Sequence, residues 1–488
     1  MYENTMLRKN IKFKDQTCPE MSVTNKTVPS IHVGIVGGGV AGATTALFLA
    51  QAGAQITLFE EGSSLVNGPP MCHLHAGGNF YRDISDDDCI KLLKRSIELL
   101  EVYPYALNKR PTVFAVPKRD SGSPEDLLPR LEKVREAYAE LIHKDSSKAL
   151  LGPAEDYFKS YSRDQVAALS LRDYPKENLT TDDWLVPVAK NINLDEFQFP
   201  LIVVQEYGLS LFRLAASASL SLEAHKNVQV YNNCKVDDIR EQGNAWNIIS
   251  NGTQTQVDFI VNSSGYRSGV IDDLLEVKRE RLLEFKAAYL AKWPEIQGDW
   301  PELVIHGQRN TADGMIQLSP YSNGLFQIHG MTDKVTLFKD GLASSTESSA
   351  QPNLNKTFQE RLTSGWNEKD LVERTQAAID HASVLVPSFA SAKTAGKPLF
   401  GAQQIPGKDA KLRTADVSFS GDNYARTEII KASSAPAAAR AIVKQLQDTG
   451  RLTVNNQLAV STEKLSFKEI HKLANQLAKE RGFPQELV

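Results

Sequence analysis

The first apolar stretch of the chain changes its periodicity twice within thirty residues. Residues 31–36 predict a short buried strand, residues 41–52 predict an Ala-rich helix that ends before Gly53, and residues 55–59 predict a second strand. A strand, a tight turn, a helix and a strand within ~30 residues form one βαβ unit, whose two strands are parallel. The pattern therefore predicts one half of a nucleotide-binding domain.

The pattern of later segments predicts a second, mixed region. A helix over 209–224 is followed by several strands, of which one starts at Lys235-Val236 and the last covers 259–262. Residues 280–410 contain alternating strand-like runs with a helix near 367–384. The tail from Ser466 has a capping-box pattern with Glu469. We therefore predict an α/β fold, with a Rossmann-type domain and a mixed antiparallel-sheet substrate domain.

The predicted division of the chain is discontinuous. Residues 1–30 are polar and predict a flexible lead, and residues 451–488 predict a helical tail. The remaining ranges are assigned to the nucleotide-binding domain (31–115, 200–275 and 411–450) and to the substrate domain (116–199 and 276–410).

Composition narrows the choice of partners. A formal net charge of -4 gives no basic field for nucleic acid, so we expect no nucleic-acid partner. The four cysteines form no CxxC pair, so no metal site is expected. No stretch predicts a transmembrane helix or a signal peptide, and we expect a cytoplasmic protein. The amphipathic tail would suit packing on the body, a homo-oligomer contact or a peripheral contact with the inner face of the membrane.

A glycine-rich turn joins the first predicted strand to the helix. Glycines are needed where the backbone turns tightly, approaches a pyrophosphate and packs helix against strand, and the helix N-terminus offers free amides to phosphates. Glu60 ends the second strand and could accept hydrogen bonds from ribose hydroxyls, which favours an adenosine ribose without a 2′-phosphate. The turn consists of Gly37, Gly38, Gly39, Val40, Ala41 and Gly42.

Together with later blocks, this turn resembles the FAD-dependent D-amino-acid oxidase superfamily, which includes glycine and sarcosine oxidases and glycerol-3-phosphate dehydrogenase. The similarity is strongest from Gly37 to Glu61 and looser from Gly421 to Arg440. It implies FAD as cofactor, with an adenine contact at Val236. The further cofactor contacts that it implies are Glu60, Glu61, Ser263, Ser264, Gly265, Gly421, Asp422, Ile430 and Lys431.

The block from Met71 to Arg82 holds two histidines, two glycines and an arginine. His75-Ala-Gly-Gly78 is similar to the His-Ala-Ala-Gly of dimethylglycine and sarcosine dehydrogenases, in which the histidine is linked covalently to flavin. Three roles stay open for this histidine: a covalent link, a hydrogen bond to flavin or substrate, and a structural role. The cofactor contacts predicted here are His73, His75, Ala76 and Gly77.

Catalytic candidates lie beside these blocks. His329 ends a strand in the presumed substrate domain, where it could accept a proton or serve as a structural residue. Arg82 and Arg426 could clamp a substrate carboxylate, as could Arg267, or each could be a surface charge. His75, described above, is a further catalytic candidate.

The predicted function is oxidation of a small amine, amino acid or hydroxy acid by hydride transfer to FAD, with oxygen, a quinone or a carrier as electron acceptor. A faint similarity of residues 429–436 to malate:quinone oxidoreductases leaves a quinone-linked hydroxy-acid dehydrogenase as an alternative. Two further alternatives are an NAD-linked enzyme with one βαβ unit and a flavin-binding regulatory protein without turnover.

Overall fold

A computed structural model describes residues 31–70, 84–177, 179–453 and 458–488 of the chain. The predicted lead over 1–30 lies outside the described residues. The same holds for the block that contains His73, His75, Ala76, Gly77 and Arg82, so the roles predicted for these residues stay predictions.

A parallel sheet forms around the predicted βαβ unit. The strands His32–Val36 and Gln55–Phe59 pair in parallel. Both carry almost continuous buried side chains, as is typical of a parallel sheet that helices cover on its faces. The full order is Val417–Ser420, Tyr424–Thr427, Phe259–Asn262, His32–Val36, Gln55–Phe59 and Val228–Tyr231. All neighbours are parallel except the first pair, which is an antiparallel hairpin. A three-stranded antiparallel sheet of Asp238–Gln242, Ala245–Ser250 and Thr253–Val257 lies against it.

The second large sheet has ten strands and is mostly antiparallel. Its longest strand, Arg281–Lys292, pairs with Leu325–Gly330, Leu342–Ser344, Lys393–Thr394 and Leu399–Pro406. The sheet continues through Ile316–Pro320, Glu302–Ile305, Thr112–Pro117, Phe197–Val204 and Phe158–Tyr161, and only Glu302–Ile305 with Thr112–Pro117 is parallel. A two-stranded ladder joins Leu107–Asn108 to Gly208–Leu209.

Helices cover both sheets and bury their apolar stripes on them. Val40–Gln51 is buried along most of its length between the parallel sheet and Ala435–Asp448, while Phe467–Glu480 packs on Leu211–Glu223. The other α-helices are Asp86–Val102, Leu128–Lys144, Arg163–Ser170, Thr181–Asn191, Ser268–Leu274, Lys356–Ser364 and Glu368–Ser383. Among the described residues, none of the helices has the length and apolar character needed to cross a membrane.

Two local predictions were wrong. Lys235 and Val236 do not begin a strand, because residues 234–237 form an extended connection after Val228–Tyr231. Ser466 precedes the tail helix without a side-chain cap, so the predicted capping box does not form. The predicted boundaries at 115 and 200 fall inside Thr112–Pro117 and Phe197–Val204, two paired strands of the ten-stranded sheet, and the division into domains stays a prediction.

Candidate functional site: a cleft between the two large sheets

The glycine-rich turn lies where the first parallel strand passes into its helix. Gly37 has φ +97°, a conformation that glycine adopts without the steric cost of a side chain. Gly39 precedes Val40–Gln51 and provides no side-chain cap to the helix amides. A Cβ atom at Gly39 would meet nothing within 4 Å, so this face of the turn is open to the cleft. Uncapped amides at an open helix N-terminus favour an anionic ligand such as a phosphate.

Glu60 follows the second parallel strand and is fixed beside that turn. Its carboxylate accepts hydrogen bonds from the backbone amides of Gly38, at 2.7 Å, and Gly62, at 2.6 Å. Burial raises the pKa of Glu60 and the two amide bonds oppose that shift. Carboxylate lone pairs that the two amides do not use can accept hydrogen bonds from a diol.

Other residues predicted for the adenosine end line the same cleft. Ser263, Ser264 and Gly265 follow Phe259–Asn262, and the Ser263 amide donates to the Val36 carbonyl at 2.8 Å. Val236 lines the cleft across from them, despite lying in a connection rather than a strand. Glu61 also lines it but pairs with Arg267, which therefore neutralises a carboxylate in addition to bordering the cleft.

The cleft continues from this end to the ten-stranded sheet as one cavity of about 1710 Å³. Because side chains alternate along a strand, Gln327 and His329 share one face of Leu325–Gly330. Both line the cavity, as does Met331 directly after the strand. The opposite border is formed by the segment that precedes Ala435–Asp448, including Ile430 and Lys431. A cofactor as long as a dinucleotide could therefore extend from Glu60 to His329.

Lys286 joins the two borders at the far end of the cavity. Its Nζ lies 2.7 Å from an oxygen of Glu284 and 3.1 Å from the amide oxygen of Gln403. Gln403 in turn donates a hydrogen bond to the Ile430 carbonyl at 2.8 Å. Arg309 pairs with the same Glu284 carboxylate. Two cations thus share one acid at the end of the cavity that faces His329.

His329 is neutral in this environment. Burial, followed by the nearby Lys286, Lys431 and Arg309 cations, lowers its pKa to about 3. Its Nδ1 atom is buried and has no hydrogen-bond partner. Lys286 is affected in the same direction, because burial lowers its pKa to about 8 against the opposing effect of Glu284. An imidazole nitrogen without a partner in a cation-rich cavity is ready to accept a hydrogen bond from a ligand.

The structure does not bring Gly421, Asp422 and Arg426 into this cleft. Gly421 and Asp422 are exposed in the turn between Val417–Ser420 and Tyr424–Thr427, at the edge where the parallel strands begin. Arg426 is buried and its Nε donates to Asp272 at 2.8 Å. The carboxylate-clamp prediction for Arg426 is therefore corrected, because a protein carboxylate already binds its guanidinium.

Sequence reasoning missed four residues of the cleft: Lys286, Arg309, Gln403 and Arg481. The alternation of Glu284 and Lys286 on one strand was a usable signal, since both side chains must point to the same face. Arg481 carried no such signal, because its side chain donates hydrogen bonds to residues more than 400 positions away. The described residues contain no group of three or more His, Cys, Asp or Glu side chains that could hold a metal ion.

The chain matches the sequence model of the FAD-dependent oxidoreductase family over residues 32–159. Glycine oxidase from Geobacillus kaustophilus has the same fold, at a TM-score of 0.54 and 13% identity, covering 90% of this chain and 100% of that one. Over residues 32–159 the chain is thus similar to FAD-dependent oxidoreductases, and its fold is similar to that of glycine oxidase.

Further solved structures share this fold. Glycerol-3-phosphate dehydrogenase from Bacillus halodurans, complexed with FAD, has a TM-score of 0.55 at 13% identity, covering 94% of this chain and 74% of that one. L-amino acid deaminase from Proteus vulgaris has a TM-score of 0.54 at 14% identity, with 91% and 100% covered. No curated protein sequence matches the chain.

The residues of the cleft fit FAD. The open backbone at Gly39 and the start of the helix suit the pyrophosphate, and Glu60 suits the adenosine ribose. At the other end, Lys431 and the start of Ala432–Ser434 border the cavity, where positive charge would stabilise a reduced flavin. FAD, when bound, supplies the acceptor for two electrons.

Proposed function

We propose that this flavoprotein oxidises a small organic acid that carries an amine or a hydroxyl group on the carbon next to its carboxylate. The observation that carries the proposal is the partnerless Nδ1 of His329 within a cluster of cations. The names of similar folds, including glycine oxidase and L-amino acid deaminase, are compatible with such a substrate.

The charges at this end favour an anion. Lys286 and Arg309 both pair with Glu284, so two cations share one carboxylate, and Lys431 adds a third cation close enough to affect the pKa of His329. Inside a protein, charges interact more strongly than in water, so two cations that share one carboxylate attract a small anion. A substrate carboxylate would restore the balance of charge.

His329 would then orient the group that loses a proton. Its neutral Nδ1 accepts a hydrogen bond from the substrate hydroxyl or amine. FAD, when bound, would supply the acceptor for the electron pair of the adjacent C–H bond, and His329 would take the O–H or N–H proton. The product is a carbonyl or an imine. Neutralisation of the neighbouring cations by the substrate carboxylate raises the pKa of His329, which makes this nitrogen a better proton acceptor.

The test compares matched substrates during anaerobic mixing with the FAD-loaded protein. Amino acids and hydroxy acids are each paired with the amide and with the amine or alcohol that lacks the carboxylate, and glycerol phosphate is paired with glycerol. We expect flavin bleaching at least about 100-fold faster with the acids than with their neutral partners. Equal bleaching by the neutral amines or alcohols would contradict the proposal, and preference for glycerol phosphate would assign the cations to a phosphate.

A variant links this preference to the cation cluster. Lys286→Gln should reduce the ratio of acid to neutral substrate because it removes one of the two cations that share Glu284. Lys292→Gln is the matched control, since Lys292 ends the same strand and its side chain is 40% exposed outside the cleft. An unchanged ratio of acid to neutral substrate in Lys286→Gln would show that the cation cluster does not contribute to substrate recognition.

A further inference from the structure

The residue that follows the C-terminal helix reaches into the cofactor cleft. Phe467–Glu480 buries Ile470, Leu473 and Leu477, and Arg481 comes directly after it. The Arg481 guanidinium lies 5.0 Å from the ring centre of Phe212 and lines the cleft. Because the helix is anchored on the body, its end places this guanidinium at a fixed position.

Arg481 binds the segment that follows Glu60. Its Nη1 donates to the Val66 carbonyl at 3.2 Å and its Nη2 to the Asn67 carbonyl at 3.0 Å, with a further hydrogen bond to the Gly68 carbonyl. Three consecutive carbonyls thus converge on one side chain. A planar guanidinium with five donors can satisfy such a set, whereas a single ammonium cannot hold it in the same geometry.

Val66 is held in a conformation that its side chain disfavours. Its φ is +53°, in the left-handed region that β-branched residues rarely adopt. The Val66 amide donates to the Gly38 carbonyl at 2.9 Å, and the Gly38 amide donates to Glu60 at 2.7 Å. A continuous series of hydrogen bonds therefore runs from Arg481 through Val66 to the glycine-rich turn. Such backbone strain persists only where surrounding contacts enforce it.

The same tail also contacts the connection between Lys393–Thr394 and Leu399–Pro406. Lys397 donates a hydrogen bond to the Arg481 carbonyl and lies 4.0 Å from the ring centre of Phe483. Asn67, Gly68, Lys397 and Phe483 all line the cleft. The tail thus contacts cleft-lining residues from two separate segments of the chain.

From this arrangement we propose that Arg481 is a positioning residue for FAD: it holds Val66–Gly68 in the strained conformation that completes the adenosine end of the cleft. The guanidinium acts through the segment and the glycine-rich turn, and it need not touch the cofactor. FAD binding would then depend on a side chain far from any nucleotide-binding motif in the sequence.

The test measures FAD binding to the full-length apoprotein by quenching of flavin fluorescence. Arg481→Gln should weaken binding about 30-fold, since it removes hydrogen bonds from a charged donor. Lys479→Gln is the matched control, because it removes an exposed charge two residues earlier. Proteolytic cleavage near residues 66–70 of the apoprotein should accelerate in Arg481→Gln and stay unchanged in the control. Binding and cleavage equal to those of the control would overturn the proposal.

The Val66→Gly variant, used as a second background, distinguishes a positioning role of Arg481 from direct contact with FAD. Glycine adopts positive φ without strain, so Val66→Gly should reduce the effect of Arg481→Gln to less than about 3-fold. The same 30-fold effect in both backgrounds would overturn the positioning role and indicate that Arg481 binds FAD itself. If Arg481→Gln does not fold, Arg481→Lys serves instead. It should still weaken binding severalfold, and wild-type affinity in this variant would equally overturn the proposal.

Discussion

A Cβ atom added to Gly42 would lie 1.9 Å from the carbonyl oxygen of Gly37, whereas one added to Gly39 would meet nothing within 4 Å. The two glycines of one turn therefore serve different purposes. Gly42 is required by the folded chain itself, because its helix packs directly on the preceding backbone. Gly39 is instead required for ligand binding, because its open face lets a phosphate approach the backbone.

This difference predicts two distinct variants. Gly39→Val should leave the melting temperature of the apoprotein within a few degrees of wild type but abolish retention of FAD. Gly42→Ala should lower the free energy of unfolding of the apoprotein by several kcal/mol, since backbone must shift to relieve the clash. Thermal unfolding of the apoprotein and the flavin absorbance after gel filtration measure the two effects. A yellow Gly39→Val protein would refute the role assigned to this glycine.

Arg426 provides a second test, because its buried partner is Asp272. Arg426→Gln should reduce the free energy of unfolding by about 3 kcal/mol, as expected when one member of a buried ion pair is lost. The KM of the folded enzyme for its substrate should change less than about twofold, since Arg426 lies outside the cleft. Chemical denaturation and steady-state kinetics provide the two measurements. A large rise in KM with unchanged stability would restore the carboxylate-clamp role.

His329 predicts how stability depends on pH. The folded-state pKa, about 3, lies below the ordinary value of 6.5, so protons bind preferentially to the unfolded chain between these values. The stabilising contribution is complete above pH 6.5 and is lost as the pH falls toward 3. The apoprotein of His329→Gln should therefore lose less stability over this range than wild type. Denaturation curves at pH 7 and pH 5 would show it, and equal losses in both proteins would argue against the neutral buried histidine.

The position of Lys286 near His329 predicts that its replacement changes the titration of His329. Since its cation lowers the pKa of His329, Lys286→Gln should raise that pKa. Histidine carbon chemical shifts, recorded over pH in ¹³C-labelled apoprotein, would report the change directly. Lys292→Gln again provides the control. An unshifted His329 titration in Lys286→Gln would exclude Lys286 as a cause and leave burial, Lys431 and Arg309.

The parts of the fold that depend on local pattern were predictable. The βαβ unit was placed within a residue or two of His32–Val36, Val40–Gln51 and Gln55–Phe59, because apolar periodicity and glycine positions determine such a unit locally. Family similarity indicated Ser263 to Gly265 at the edge where their strand ends, and the cleft is found there.

Other features depended on long-range contacts that no local pattern contains. Gly421 and Asp422 resemble a strand-end motif, yet their strand enters a hairpin and leaves them at the opposite edge of the parallel sheet. Arg426 is neutralised by Asp272, and Arg481 reaches Val66, contacts between residues more than 150 positions apart. The charge environment that keeps His329 neutral likewise comes from three separate segments.

The order of the parallel sheet has a consequence for how the protein folds. Phe259–Asn262 lies between His32–Val36 and Tyr424–Thr427, so three neighbouring strands come from positions spread over most of the chain. Each pairing must close a loop of well over a hundred residues, and such non-local pairings slow folding. Much of the ten-stranded sheet lies within these loops. We therefore expect the two sheets to form as one cooperative unit. A fragment ending before Tyr424 would lack the strand that pairs with Phe259–Asn262 and remain open to aggregation.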